Sequence, residues 1–78
     1  MTLFLDTETT GLDRSDRLVE IGVVDDAGAV VYQSLINPGM PIPPAASKVH
    51  GITDEMVREA PRLDAVTPAL RALLIADG

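Results

Sequence analysis

Two acidic residues, separated by a single residue, directly follow an apolar segment near the start of the chain. The segment Leu3–Leu5 runs into Asp6 and, two residues later, Glu8. Residues two apart in a β-strand point to the same face, so both carboxylates can meet at one point if the strand continues to Glu8. Like charges held close repel each other, and a hard divalent cation such as Mg²⁺ removes that cost by binding carboxylate oxygens. The pair therefore predicts a metal site at the carboxyl end of a strand.

The residues after the acids extend this interpretation. Acids just past a strand are commonly solvated. A D-x-E pattern alone therefore does not distinguish a metal-binding pair from a solvated pair. Here Thr9, Thr10 and Gly11 follow at once. Their hydroxyls and backbone N–H groups suit a sugar hydroxyl or a phosphate beside the metal.

The positioning elements follow from turn signals and periodicity. Strands are predicted over Thr2–Asp6, Leu18–Val24 and Ala29–Ile36, the last two joined as an antiparallel hairpin by Asp25–Gly28. The first strand is apolar on both faces, which indicates a central position in a sheet. Asp16, in the turn that follows the first strand, is expected to be solvated.

Helices are predicted in the second half of the chain. The proline-rich stretch Asn37–Pro44 is expected to lack regular structure. Thr53 has the form of a helix N-cap, and Pro61 closes that short helix. A last helix carries an apolar stripe that begins at Leu63, although Thr67-Pro68 offers a second possible start.

Composition limits the function classes. The chain has 78 residues, no cysteine and a formal net charge of −6. One domain is the most that this length allows, and a disulfide or thiolate site is excluded. With no basic-apolar leader or membrane-length apolar run in these residues, a cytoplasmic protein is expected. The negative charge argues against unaided charge-driven binding to nucleic acid but suits a site for divalent cations.

Four segments together resemble a known family. LFLDTETTGL at residues 3–12 resembles the first motif of the DEDD-type 3′–5′ exonucleases, which include the proofreading epsilon subunit of bacterial DNA polymerase III and ribonuclease T. LVEIGVV at 18–24, the proline-rich NPG segment from 37, and VHGITDEM at 49–56 resemble later parts of the same domain in the same order. The resemblance covers essentially the whole chain.

The resemblance implies an α/β, ribonuclease H-like exonuclease fold, of which residues 1–78 would be the N-terminal portion, ending before the second and third exonuclease motifs. This portion would be a three-stranded antiparallel sheet followed by helices. The downstream Asp and His that the family uses for metal binding and proton transfer do not occur at matching positions. The first strand would then lie at an open edge, because the parallel strand that should flank it is missing.

The resemblance also implies roles for individual residues. Asp6 and Glu8 would be catalytic carboxylates that bind two divalent cations, Mg²⁺ or Mn²⁺. A substrate-binding role is implied for six residues: Thr9, Thr10, Gly11, Leu12, His50 and Ile52. Leu12 would be an apolar wedge against the terminal base, and His50 and Ile52 would line the pocket of the terminal nucleotide. Plain packing remains an alternative for Leu12, and a hydrogen bond at a loop–helix junction remains one for His50.

The implied function is hydrolysis of a single-stranded 3′ end of DNA or RNA by two metal ions, with DNA proofreading and a polymerase subunit as the expected setting. Nothing in the residues distinguishes DNA from RNA, since that depends on how a pocket treats the 2′-hydroxyl. Two alternatives stay open: a non-catalytic binding remnant of the same fold, and an aspartyl-nucleophile phosphatase, whose D-x-D-x-T signature is partly matched by Asp6, Glu8 and Thr10.

Overall fold

Three strands precede three helices in the folded chain. The computed structural model describes residues 2–11 and 15–77, with side chains up to residue 74. The elements are β1 (Leu3–Thr9), β2 (Leu18–Asp25), β3 (Val30–Leu35), α1 (Pro44–His50), α2 (Asp54–Val57) and α3 (Leu63–Asp77). The prediction of an antiparallel sheet followed by helices is confirmed, and α1 is an element that the sequence interpretation lacked.

The first strand is longer than the sequence indicated. It runs to Thr9, so both acids lie inside the strand. In the antiparallel pairing with β2, Asp6 faces Gly22 and Glu8 faces Glu20, and the register shifts between Glu8 and Thr9. The condition for placing both carboxylates on one face, strand geometry as far as Glu8, is therefore met.

The sheet has the order β1-β2-β3, which leaves β1 at an edge. Phe4 is 54% exposed and Leu5 is 61% exposed, although both are large apolar residues inside a strand. The open edge that the family resemblance implied is thus present in the described part of the chain. Unpaired backbone groups beside exposed apolar side chains make this edge ready to pair with another strand.

The hairpin between β2 and β3 is closed by one aspartate. Asp25 Oδ1 accepts hydrogen bonds from the backbone N–H groups of Ala27 and Ala29, both at 2.9 Å. Gly28 adopts φ 84°, a left-handed conformation that favours glycine. This Asx turn explains why the sequence marks the hairpin so clearly.

Helix α1 follows the proline-rich stretch directly. Pro44 occupies the first turn of α1, where a missing N–H costs nothing. Gly51 caps the end of the helix at φ 77°, and the Gly51 N–H donates to Ser47 O at 2.7 Å. None of its residues is buried. Because the helix has no apolar stripe, periodicity could not reveal it.

The other helix boundaries agree largely with expectation. The Thr53 side chain accepts a hydrogen bond from Met56 N, which confirms the predicted N-cap of α2. Helix α3 begins at Leu63, so the apolar stripe marked its start correctly and the alternative start at Thr67 is wrong. Pro68 lies inside α3, and the Thr67 hydroxyl donates to Leu63 O at 2.8 Å in that first turn.

Two clusters of buried side chains hold the helices to the sheet. Val19 of β2 packs with Ile42, Ile52 and Val57, which joins the sheet to the α1–α2 region. The second cluster joins β2 to α3 through three buried residues: Ile21, Ile36 and Val66. Within the described residues, no helix combines the length and the apolar character needed to cross a lipid bilayer.

Candidate active site at the end of the first strand

The two acids of β1 lie on the uncovered face of the sheet. Asp6 is exposed and Glu8 is half-buried, and both line a shallow depression of ≈ 160 Å³. Gly22 stands opposite Asp6 on β2, and a Cβ placed there would lie 3.8 Å from Asp6 O. Because this position is a glycine, it places no side chain in the depression that it lines.

A third carboxylate shares this face. Glu20 lies opposite Glu8 on β2, and its Oε2 accepts a hydrogen bond from the Gln33 side-chain amide at 3.2 Å. This contact agrees with a structural part for Glu20. Among the described residues, no three His, Cys, Asp or Glu side chains are close enough to enclose a metal ion. Asp6 and Glu8 offer the hard oxygen donors that Mg²⁺ or Mn²⁺ prefers. The pair therefore fits a metal site to which other residues also contribute ligands.

The threonines after the acids use their hydroxyls within the protein. Thr9 Oγ1 donates to Gly11 O at 2.6 Å. Thr10 is 1% exposed, and its hydroxyl donates to Asp16 Oδ1 at 2.7 Å while accepting from Arg17 N at 3.0 Å. The Thr10 N–H is also engaged, with Arg17 O at 2.9 Å. These hydrogen bonds hold the chain where it leaves β1. Thr9, Thr10 and Gly11 also line a groove beside α1, and a ligand-binding role for them stays a prediction.

Gly11 lies in close approach to the Asp16 side chain. A Cβ at this position would lie 2.5 Å from Asp16 Oδ2, inside the contact distance that real side chains keep. Asp16 is half-buried and hydrogen-bonded to Thr10. The expectation that Asp16 is a solvated turn acid is therefore wrong, because its carboxylate is part of the loop after β1.

His50 connects the end of α1 to the end of β1. Its Nδ1 accepts the N–H of Ile52 at 3.0 Å, so the ring proton is on Nε2, which donates to Thr9 O at 3.0 Å. Both ring nitrogens are thereby used. The sequence left open a hydrogen bond of His50 at a loop–helix junction, and such a bond is present. It holds the backbone of Thr9, the residue after Glu8.

The structure does not bring Ile52 to the surface beside the acids. Its side chain is 4% exposed and belongs to the cluster around Val19, and it reaches the site only through its N–H bond to His50. Leu12 lies outside the described residues.

A groove runs between the end of β1 and helix α1. It has a volume of ≈ 550 Å³, and its lining includes Glu8 and His50. Val49, 84% exposed, stands on its rim together with small side chains of α1. Its remaining lining residues are Thr9, Thr10, Gly11, Asp16, Pro43, Ala45 and Ala46. Sequence reasoning missed the α1 wall, and the signal that could have found it is Pro44 followed by Gly51, at the two ends of the helix.

Glu8 is the residue that joins the two depressions, since it lines both the shallow one with Asp6 and the groove with His50. A ligand seated in the groove would therefore contact the carboxylate that also lines the depression beside Asp6. This juxtaposition suits hydrolysis of a phosphate ester at the end of a chain whose last unit fills the groove.

Comparisons with known proteins identify the family. The family model described as "Exonuclease" matches residues 3–78. An uncharacterized exonuclease of Escherichia phage 186 is 43% identical over 76 residues, which cover 97% of this chain and 39% of that protein. The DNA polymerase III subunit epsilon of Treponema pallidum is 48% identical over 61 residues, covering 73% of this chain and 28% of that subunit.

A solved structure agrees with the sequence relatives. Exonuclease X, in complex with 5′ overhanging duplex DNA, superimposes with a TM-score of 0.74 at 38% identity, covering 90% of this chain and 43% of that chain. The chain thus spans less than half the length of these relatives. Its sheet and helices have the ribonuclease H-like exonuclease fold. By sequence and by fold, the chain belongs to the exonuclease family.

Proposed function

We propose that residues 1–78 are the N-terminal portion of an exonuclease domain that removes nucleotides from the 3′ end of a nucleic acid strand. The observation that carries the proposal is the position of Glu8, which shares one strand face with Asp6 and also lines the groove beside α1. The length of the relatives, of which this chain covers only part, supports the view that further ligands lie outside these residues.

Asp6 and Glu8 would hold, in part, two divalent cations, Mg²⁺ or Mn²⁺, which when bound supply charge neutralisation at the phosphate and an activated water. The chain's own residues bind and orient the strand. The apolar rim at Val49 offers the face of the terminal base a surface that does not depend on its identity. Glu8 would accept a hydrogen bond from the terminal 3′-hydroxyl.

His50 acts on the site through the backbone. Its Nε2–H fixes the Thr9 carbonyl, one residue after Glu8, where the register of β1 shifts. Because strand pairing is irregular there, this side-chain hydrogen bond supplies a constraint that the sheet does not. His50 is thus a positioning residue for the Glu8 carboxylate, in addition to lining the groove.

DNA is the substrate that the comparisons favour. Exonuclease X was solved with duplex DNA, and several relatives are epsilon or epsilon-like subunits of DNA polymerase III. Proofreading beside a polymerase subunit in the cytoplasm is the setting in which we place the complete protein. Membership in the exonuclease family supports this over the aspartyl phosphatase alternative.

The test uses the complete protein that contains residues 1–78 and a single-stranded oligonucleotide labelled at its 5′ end. With Mg²⁺, successive shortening from the 3′ end and release of nucleoside 5′-monophosphates are expected. Asp6→Asn and Glu8→Gln should each lower the rate by at least about 100-fold, since each removes a carboxylate that would hold the cations that stabilise charge at the reacting phosphate.

Asp26→Asn is the matched control, because Asp26 is an exposed acid in the distant hairpin turn. Its rate should equal that of the unmodified protein. Immediate loss of the 5′ label would contradict the 3′–5′ direction. Strand binding without any metal-dependent release would favour the non-catalytic alternative.

A further inference from the structure

Two arginine side chains converge beside a second groove at the same end of the sheet. A Cβ placed on Gly39 would lie 2.6 Å from Arg62 Nη1 and 3.5 Å from Arg17 Nη1, so the two guanidinium groups are close neighbours. Gly39 adopts φ 71°, and its N–H is held by Asn37 Oδ1 at 2.9 Å. A glycine in this turn therefore leaves room for two cations side by side.

The arginines are held differently. Arg17 Nη1 donates to Pro38 O at 3.3 Å, and the Arg17 backbone is paired with Thr10, two residues after Glu8. Within the described residues, Arg62 has no hydrogen-bonding or ion-pair partner for its side chain. Two adjacent positive charges, one of them with its donors available, form the kind of planar donor pair that binds phosphate.

Two acids also line this groove of ≈ 510 Å³, and each occupies another position in the fold. Asp16 directs its carboxylate to the Thr10 hydroxyl and lies against Gly11. Asp64 is exposed in the first turn of α3, where a negative charge is stabilised by the helix dipole. The acids reduce the positive potential of the groove, which both arginines line.

The groove adjoins the candidate active site, since Asp16 lines both grooves. This position suggests which phosphate would be bound. Arg17 lies close to the groove beside α1, because its backbone pairs with Thr10, which lines that groove. A strand that extends from the groove toward Arg17 would bring an internal phosphate to the two arginines.

We propose that Arg17 and Arg62 form a binding site for an internal phosphodiester of the nucleic acid strand, upstream of the nucleotide that is removed. The proposal rests on the proposed function for the identity of the strand. It also explains how a chain with a formal net charge of −6 can bind a polyanion: two of its six Lys and Arg residues are gathered at one point.

The experiment measures binding and turnover by the complete protein. Dissociation constants for a 5′-labelled single-stranded oligonucleotide are determined at several salt concentrations with Ca²⁺ in place of Mg²⁺, for the unmodified protein, Arg62→Ala and Arg17→Ala. Each variant should bind the strand about 5- to 20-fold more weakly, and the slope of log K against log salt should fall by roughly 0.7 for each lost phosphate contact. In Mg²⁺, KM should rise while kcat stays unchanged.

Arg71→Ala is the matched control, because Arg71 is an exposed arginine further along α3. It should leave both the affinity and the slope unaltered. Asp64→Asn should tighten strand binding, since it removes a negative charge from the same groove. A salt slope unchanged in Arg62→Ala, whose side chain forms no bond needed for folding in the described residues, would overturn the proposal.

The phosphate source is tested with inorganic phosphate and a mononucleotide. If either competes as well as an oligonucleotide of equal phosphate concentration, the site binds free phosphate and the strand assignment is refuted. Failure of the proposed function would appear differently: the unmodified protein would release no nucleotides, while the dependence of strand binding on Arg17 and Arg62 would persist.

Discussion

His50 offers the sharpest test of how the end of β1 is held, because its two ring nitrogens make two separable contacts. The Nε2–H donates to Thr9 O and the Nδ1 accepts from Ile52 N, each at 3.0 Å. An asparagine amide can reach the position of Nδ1, and a glutamine amide can reach that of Nε2. His50→Asn should therefore keep the Ile52 bond, and His50→Gln should keep the Thr9 bond.

The expected magnitudes follow from the number of bonds lost. A hydrogen bond of this kind contributes about 1 kcal/mol net. His50→Asn and His50→Gln should each lower the free energy of unfolding by about 1 kcal/mol, and His50→Ala by about 2 kcal/mol, which is roughly a 30-fold change in the folded-to-unfolded ratio. Val49→Ala, a change at an 84% exposed neighbour, should cost almost nothing and serves as the control.

Urea denaturation of the complete protein measures these free energies, and steady-state kinetics separates the two contacts. If the Thr9 bond positions Glu8, kcat should fall in His50→Ala and His50→Asn but remain close to normal in His50→Gln. Equal kcat in the Asn and Gln variants would refute the positioning role. A rise in KM alone, the same in all three variants, would show that His50 serves only as a contact for the substrate.

Three further predictions concern neighbouring residues and the chain as a whole. Ile52→Ala should lower the free energy of unfolding by about 2–5 kcal/mol in a thermal or urea melt, because Ile52 is a buried core residue. KM should not change, and a specific effect on KM would place Ile52 in the substrate pocket instead. Gly11→Ala should lower the free energy of unfolding by about 1–3 kcal/mol, because the new Cβ displaces the Asp16 carboxylate and leaves the buried Thr10 hydroxyl without its acceptor. A melting temperature equal to that of the unmodified protein would contradict this. The 78-residue chain alone should release no nucleotides and should self-associate through the open edge of β1, as measured by sedimentation velocity. Leu5→Lys should reduce this association. A sharp unfolding transition of a monomer would refute the expectation.

The sheet could be predicted from the sequence because its signals are local. The hairpin turn follows from an aspartate and a glycine at fixed positions, and the structure shows the Asp25 carboxylate closing it. The Thr53 cap and the start of α3 at Leu63 were likewise marked by residue type and apolar period. Carboxylate placement on one face followed from the period of two along β1.

The groove could not be predicted in the same way. Helix α1 has no buried residue, so no apolar stripe announces it. The engagement of the Thr10 hydroxyl by Asp16 and Arg17 joins residues six and seven positions apart, and no spacing rule anticipates it. The place of Ile52 in the core and of the half-buried His50 beside the end of β1 depends on how the α1–α2 turn packs on β2, which is tertiary information.

We propose that Asp6 and Glu8, near the end of β1, bind the divalent cations of a nuclease. Isothermal titration of the complete protein with Mn²⁺, compared with Asp6→Asn and with the hairpin control Asp26→Asn, tests it most directly. We expect Mn²⁺ binding to be at least about 10-fold weaker in Asp6→Asn and unchanged in Asp26→Asn. Equal Mn²⁺ affinity in all three proteins would contradict it.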